Sequence, residues 1–411
     1  MTRHDVVVVG GRVAGAATAL LLARAGLRVM VVDRSVERDT VSTHALMRAG
    51  VLQLARWGLL DDVVTAGTPV VHRSWFHYPD HEALPVDIRP SLGVEGLYAP
   101  RRVVLDPLLL EAAQAAGADL GLGHSVTGLF HDRGGRVSGV VMRGPDGRER
   151  RVNATLVVGA DGLRSVVADA VDAPVEEQGR HASGILYRYL DGVPADGYEW
   201  FYGDTAAAGL IPTNDGLTCA FVSSTPVRVR ALRAQGFTTA FAQLARAAHP
   251  HPALSEPLAD RLRAGRTSGV DRGWAGSPAL TRVPHGPGWA LVGDAGHFKD
   301  PITAHGITDA LRDAELLVDA ILSFTSGLQA EQDAMEVYHR TRNQLSRRLL
   351  DVTERVAAYD WTAPTVRTLL REVSASMAQE IEHITDRLSL PQRAPLPLHP
   401  AGAPHPMETS S

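Results

Sequence analysis

The chain has a single cysteine, Cys219, in 411 residues. One thiol cannot close an internal disulfide or build a cysteine metal cluster, which suits a reducing cytoplasm. Lysine is as scarce: Lys and Arg total 41, and Lys299 is the only lysine. A GC-rich genome, whose codons favour arginine, explains that and the wealth of alanine and glycine. Basic residues are not in excess either. The formal net charge is −5, so the electrostatic footprint of a nucleic-acid-binding protein is missing. No uninterrupted apolar run reaches the ~18 residues of a membrane span. The N-terminus, MTRHDVVVVGG, enters an apolar strand at once and lacks the layout of a secretory signal. What remains is ordinary for a large globular chain, with 45% hydrophobic and 21% charged residues. Its length suggests two to three domains, at roughly 150 residues each.

The clearest pattern opens the chain. Asp5-Val6-Val7-Val8-Val9 is an apolar run of the kind that fills a central parallel strand. The turn Gly10-Gly11-Arg12-Val13-Ala14-Gly15 follows, then an Ala- and Leu-rich helix ending at Gly26, then a second strand, Leu27 to Val32, closed by Asp33. A strand, helix and strand in about thirty residues make a dinucleotide-binding unit. The turn departs from G-x-G-x-x-G at its second glycine, where Arg12 stands. The helix N-terminus at Gly15 still offers N–H groups to an anion. Arg12 is read as adding a guanidinium beside the phosphates, the alternative being a solvent-facing residue. Asp33 has the position of the carboxylate that accepts hydrogen bonds from a ribose diol. Taken alone, this unit does not separate NAD from FAD.

Further along, residues 36–66 and Val103 to Ala116 read as helices. Short β-prone runs follow to 158 and again over 183–225, with Asp215-Gly216 as a hairpin turn. Residues 228–264 and 308–388 read as helical. From Pro391 the chain is proline-rich without periodicity, the composition of a disordered tail.

Two later segments decide the cofactor. LVVGADGLRSVV is a strand followed by Gly159-Ala160-Asp161-Gly162. WALVGDAGHFKDPITAHGITDALRDAELL is a strand followed by Gly293-Asp294-Ala295-Gly296, then Asp300-Pro301, Gly306 and a helix. With the opening turn, these motifs resemble the class A FAD-dependent monooxygenases, the p-hydroxybenzoate hydroxylase-like family, whose relatives include flavin halogenases and geranylgeranyl reductases. The match spans roughly residues 5–325 by motif order.

The resemblance implies an α/β fold. A Rossmann-like FAD-binding domain with a parallel sheet would occupy 1–70, 98–178 and 278–325. A mixed-sheet substrate domain would occupy 71–97 and 179–277, and C-terminal helices 326–390, before the tail at 391–411. It implies non-covalent FAD, NADH or NADPH as reductant, and O2, with oxygen delivered from a flavin C4a-hydroperoxide to a small aromatic or polyketide-like substrate. Cofactor-binding roles fall on Gly10, Arg12, Val13, Ala14, Gly15, Asp33, Arg34, Arg48, Arg102, Asp161, Gly293, Asp294, Pro301, Ala304, His305, Gly306 and Ile307. Asp294 would accept from ribityl hydroxyls, and the helix starting near Gly306 would aim its dipole at the flavin edge that becomes anionic on reduction. Arg102 fits an Arg-x-x-Leu pattern that touches the cofactor, and Arg48 a position near the pyrophosphate.

For the reacting face the candidates are His44, Lys299 and His305, with His297 flanking the same loop. Lys299 is read as a charge near reduced flavin, the alternatives being a surface lysine or an ion pair with Asp300. Trp75, His77, Tyr187 and Tyr189 are expected to line the substrate pocket, Tyr187 and Tyr189 sharing one strand face. No metal site is expected: His249 and His251 lack a third ligand in sequence. A partner macromolecule is not implied, and a homodimer stays open. Competing readings are a geranylgeranyl reductase-like enzyme, a flavin halogenase and, remotely, a flavin-fold binding protein without turnover. The tryptophan-halogenase motif is absent.

Overall fold

Valine side chains crowd the first strand so completely that it can only be central. In the computed structural model, which describes residues 4–35, 42–79, 81–249 and 258–389, His4–Val9 lies between two parallel neighbours. The main sheet runs His285–Gly286, Trp289–Leu291, Glu149–Gly159, His4–Val9, Val29–Asp33, Asp119–Leu122. All but the short first strand of that series are parallel, with Val7 opposite both Val157 and Met30. Ser125–His131 and Val137–Arg143 extend it as antiparallel strands. The expected opening unit is present: Val13–Arg24 is the helix and Val29–Asp33 the second strand.

A second sheet has the order Arg266–Trp274, Gly184–Asp191, Thr218–Ser224, Ala207–Pro212, Tyr198–Tyr202, Arg73–Tyr78, His81–Asp87. Its pairs are antiparallel except Arg73–Tyr78 against Tyr198–Tyr202. Because side chains alternate across a strand, this sheet has two apolar faces with different partners. Tyr187, Tyr189, Tyr198, Trp200, Tyr202 and Phe221 join the core that also holds the first helix. Leu186, Phe201, Leu210 and Val222 pack instead with residues of the helices Phe237–Ala248 and Leu258–Ala264. Asp215 and Gly216 both have positive φ (64° and 66°), as the hairpin reading requires.

The helical stretch expected over 36–66 is shorter. Helices cover Arg48–Arg56 and Leu60–Thr65, while residues 36–41 lie outside the described residues. His44, just before, has φ 66°, a left-handed conformation that no α-helix accepts. The helix expected at Val103 to Ala116 spans Arg102–Ala115. Gly306–Thr325, Glu331–Val356 and Ala363–Ser389 make up the helical C-terminal region. The proline-rich segment 391–411 lies outside the described residues. Among the described residues, no helix is long and apolar enough to cross a membrane.

Candidate cofactor site and reacting face

The glycine turn is built by backbone packed on backbone. A Cβ on Gly15 would lie 1.8 Å from the Gly10 carbonyl oxygen, and one on Gly10, at φ +104°, would lie 2.4 Å from the Ala160 oxygen. The Asp-Gly motif thus backs directly onto the first turn. Gly293 completes the cradle, since a Cβ there would meet the Ala14 methyl at 2.8 Å. Asp33 straps the turn from the next strand: its carboxylate accepts from the Gly11 N–H at 2.6 Å and the Ser35 N–H at 2.7 Å. Val13 is the first residue of the helix, and no side chain caps that N-terminus and no acid sits in its first turn. Its orphan N–H groups and positive dipole end favour an anion.

Arg12 occupies the N-cap position with an exposed side chain. Titrating deflavinated protein with FAD at low and high salt tests its reading. Arg12→Gly should bind more weakly than wild type with a shallower salt dependence, and Arg12→Glu far more weakly still. Equal affinity in all three proteins would rule out the phosphate role.

Asp294 is exposed by surface area, yet enough protein surrounds it that desolvation pushes its pKa up to about 6 against the pull of Arg102 and Lys299. That combination describes a carboxylate at the floor of a cleft. Arg102 is not a surface ion pair; its guanidinium makes two bonds to the fully buried Asp106, at 2.7 and 2.9 Å. Gly306 begins its helix exposed, with open space where a Cβ would stand. Ala304, before it, takes a left-handed conformation at φ 51°. Pro301 and Ile307 are half-buried beside it, and Arg34 is exposed past the second strand. A cradle without side chains, an uncapped helix, a strapped aspartate, a cleft carboxylate and a second open helix start suit the phosphates, hydroxyls and redox-active edge of FAD.

Other expected residues are committed elsewhere. Arg48 donates to the carbonyls of Arg89 at 2.7 Å and Val94 at 3.4 Å. Asp161 accepts from the Ser165 hydroxyl at 2.5 Å and the Val166 N–H at 2.7 Å, so it fixes the turn into the helix Val166–Ala170.

Lys299 is neither a surface lysine nor a partner of Asp300. It is buried and bonded to Asp309, in a cluster that also contains His305, Arg312, Asp313 and Glu380. Arg312 reaches Asp309 at 2.9 Å, Asp313 at 2.7 Å, the Ser346 hydroxyl at 2.7 Å and also Glu380, while His305 bonds Glu380. Burial alone would raise the Asp309 carboxyl, but Lys299 and Arg312 hold it well below the usual carboxylate range. His305 and Lys299 therefore lie beneath the loop that precedes Gly306, as supports of it. Glu380, from the last helix, was not anticipated. His297 is also shut in, with its Nδ1 3.1 Å from the Thr281 hydroxyl.

Asp300 faces the second sheet. It accepts from the Ser183 N–H (2.6 Å), the Ser183 hydroxyl (2.7 Å) and the Ile302 N–H (3.0 Å). Burial nevertheless pushes its pKa up to about 6. The folded chain then keeps a proton that an unfolded aspartate, near 3.9, has released. This group adds stability as pH falls through about 6 toward about 4, and withholds it above. Urea midpoints across that range should show wild type gaining on Asp300→Asn as pH falls; parallel curves would exclude the effect.

The four expected pocket aromatics do not share one wall. Tyr187 and Tyr189 are buried together, edge to face at 6.0 Å. His77 instead stacks on Phe201 at 4.1 Å, on the face covered by the two helices, and Trp75, two residues away, donates to the Asp196 carbonyl. Strand parity gives the Tyr187 side of the sheet Phe76 and Tyr78. His44 joins that side: its Nε2 bonds the Tyr189 hydroxyl and the two rings stack at 5.6 Å. Arg101, not anticipated, lies 4.5 Å over the Tyr189 ring. Burial, with Arg102, Arg101 and Arg272 adding to it, holds His44 well below its usual pKa, and its Nδ1 is buried without a partner. The same segment reaches the Gly306 helix, where the Met47 N–H donates to the Thr308 hydroxyl at 3.3 Å. His249 packs edge-on against Phe201 and His77; His251 lies outside the described residues.

Comparison with known proteins agrees with this geometry. A family model described as an FAD binding domain matches residues 3–353. A menaquinone reductase of Mycolicibacterium smegmatis is 28% identical over 346 residues, 78% of this chain and 77% of its own. Aklavinone 12-hydroxylase of Streptomyces peucetius is 25% identical over 384 residues, 86% of this chain and 74% of its own. Among solved structures, P. aeruginosa PqsL in complex with 2-aminobenzoylacetate superposes with a TM-score of 0.77 at 21% identity, over 90% of this chain and all (100%) of that one, a likeness of fold.

Proposed function

This chain belongs to the FAD binding domain family, whose relatives are FAD-dependent oxidoreductases, and from that premise we propose that it is a monooxygenase. It would use NADH or NADPH and O2 to oxygenate a small aromatic or polyketide-like molecule. The observation that carries the reading is the His44–Tyr189 pair beside the start of the Gly306 helix, a neutral imidazole with one nitrogen on a phenol and the other unpartnered.

When bound, FAD supplies the two-electron and oxygen chemistry. The Gly10–Gly15 turn, Asp33 and Asp294 would hold it, and the Gly306 helix would stabilise negative charge at its edge. The chain's own work is orientation and proton handling. A hydroxyl of the substrate presented to His44 Nδ1 would give its proton to that lone pair, while His44 keeps its own proton on Nε2 toward the Tyr189 oxygen, so the imidazole becomes the cation and the substrate the phenolate. A proton leaving an aromatic hydroxyl makes the ring electron-rich, which electrophilic oxygenation needs. Tyr187, Tyr189, Trp200 and Phe221 keep water from this face.

The likeness to a menaquinone reductase supports a second reading, reduction of an unsaturated substrate without O2. One experiment separates them. Flavin reduction by NADH and NADPH is followed anaerobically with and without phenolic substrates, and isotopically labelled O2 is then admitted. Label in the product and substrate-stimulated reduction are expected. A product gaining two hydrogens and no label would establish the reductase instead.

A further inference from the structure

We propose that His285, Glu336 and His339 form a binding site for a divalent transition metal of the zinc class, clipping the helix Glu331–Val356 to the edge of the main sheet. None of the three belongs to the cofactor motifs. Glu336 and His339 are three residues apart and so share one helix face. His285 begins the edge strand His285–Gly286. The His285 Nε2 lies 3.6 Å from Glu336 Oε2, and the His339 Nδ1 lies 3.8 Å from the same oxygen. One ligand atom from each residue falls within 4.8 Å of the other two.

These separations are too long for hydrogen bonds and suit a shared ion. Zinc bonds of about 2.0–2.1 Å in tetrahedral geometry put ligand atoms roughly 3.3 Å apart, so each histidine need close on Glu336 by only a few tenths of an ångström, and the two histidines start within 4.8 Å of each other. Two further observations point to a ligand. His285 Nε2 is buried with no hydrogen-bond partner. On the other ring, His339 Nε2 lies 2.8 Å from Glu176 Oε1. An imidazole donating there keeps its proton on Nε2 and turns the Nδ1 lone pair toward Glu336, the carboxylate–histidine arrangement that orients metal ligands. Glu176 is itself held by Asn343 at 3.3 Å and Arg342 at 3.4 Å. Two imidazoles and one carboxylate are a borderline set that favours zinc over magnesium or calcium.

The ion would do structural work. Arg342, three residues beyond His339, bonds the carbonyls of Arg282 at 2.9 Å and Gly296 at 3.3 Å. Fixing His339 therefore fixes the helix behind the Gly-Asp motif.

The test uses the full-length flavin-loaded protein with any affinity tag removed, stripped with chelator and dialysed against micromolar zinc chloride. About one zinc per chain is expected, with a rise in melting temperature that magnesium does not reproduce. His285→Asn and His339→Gln should each retain less than about a tenth of that zinc, and Glu176→Gln, which leaves all three ligands, should weaken binding by roughly 10–100-fold. Unchanged flavin absorbance confirms that the variants fold, and Glu336→Gln replaces any that lose flavin. Zinc content at background in wild type, or equal zinc in wild type and the ligand variants, would overturn the site and leave a water-bridged polar cluster.

Discussion

Gly15→Ala should purify colourless. The added methyl would sit 1.8 Å from the Gly10 oxygen, and both partners are main chain. A side chain could rotate away, but this carbonyl is held by a turn whose own Gly10 has no room beside Ala160. Overpacking ordinarily costs about 1–3 kcal/mol, and here the strain falls on the N–H groups proposed to receive the phosphates. FAD per chain, read from the visible absorbance of dialysed protein, should fall to below roughly a tenth of wild type, a loss of at least about 1.4 kcal/mol in binding. Gly128→Ala is the control, because a Cβ there meets open space and the residue lies in Ser125–His131, outside the cofactor motifs. It should fold normally. Stoichiometric FAD in Gly15→Ala would mean that the turn does not hold the cofactor.

Arg312→Met should be the most damaging single change to stability. The guanidinium serves Asp309, Asp313, Glu380 and Ser346 at once, and every one of them is buried. Without it, Asp309 would keep Lys299 and Glu380 would keep His305, but Asp313 would lose the cation it is bonded to. Breaking a buried ion pair by removing one partner costs about 3–5 kcal/mol, because the abandoned charge stays desolvated. Denaturant unfolding measures the loss. Arg312→Met with Glu380→Gln should recover part of it, since the second change removes one stranded charge. A single variant within about 1 kcal/mol of wild type would show that the cluster is not a stabilising unit.

The sequence made the cofactor side readable and the reacting side only partly so, for physical reasons. Strand, turn and helix are local, and the valine run, the glycines and Asp33 announce themselves within thirty positions of one another. Parity was also readable: Tyr187 and Tyr189 share a face, as do Trp75 and His77. Which face of the sheet each pair meets is another matter. It depends on the pairing of Arg73–Tyr78 with Tyr198–Tyr202, where His77 falls opposite Phe201, and that register joins segments more than a hundred residues apart. The partner of Lys299 lay ten residues away, at Asp309, rather than at the adjacent Asp300. Nothing local marked it, because the acids there look like an ordinary polar helix face until the last helix buries them. Glu380 carried no signal beyond its place on an amphipathic helix. His44 stood in a stretch that read as helical, but its backbone is left-handed, with its N–H donating to the Ser42 hydroxyl at 3.0 Å.

Glu380 also sets a schedule. The turn at Gly10 leaves the ribosome early, and the Gly-Asp motif almost three hundred residues later. Yet the loop ahead of Gly306 is braced through His305 and Arg312 by a side chain 75 residues beyond His305, which leaves the ribosome after both. A nascent chain can therefore form the first strand, helix and strand and still lack a finished floor for the cofactor. Flavin capture would then wait for the docking of the helix Ala363–Ser389. A ribosome stalled anywhere before that helix would carry a chain with the dinucleotide turn exposed and its second wall unsupported, a species more suited to a protease than to catalysis.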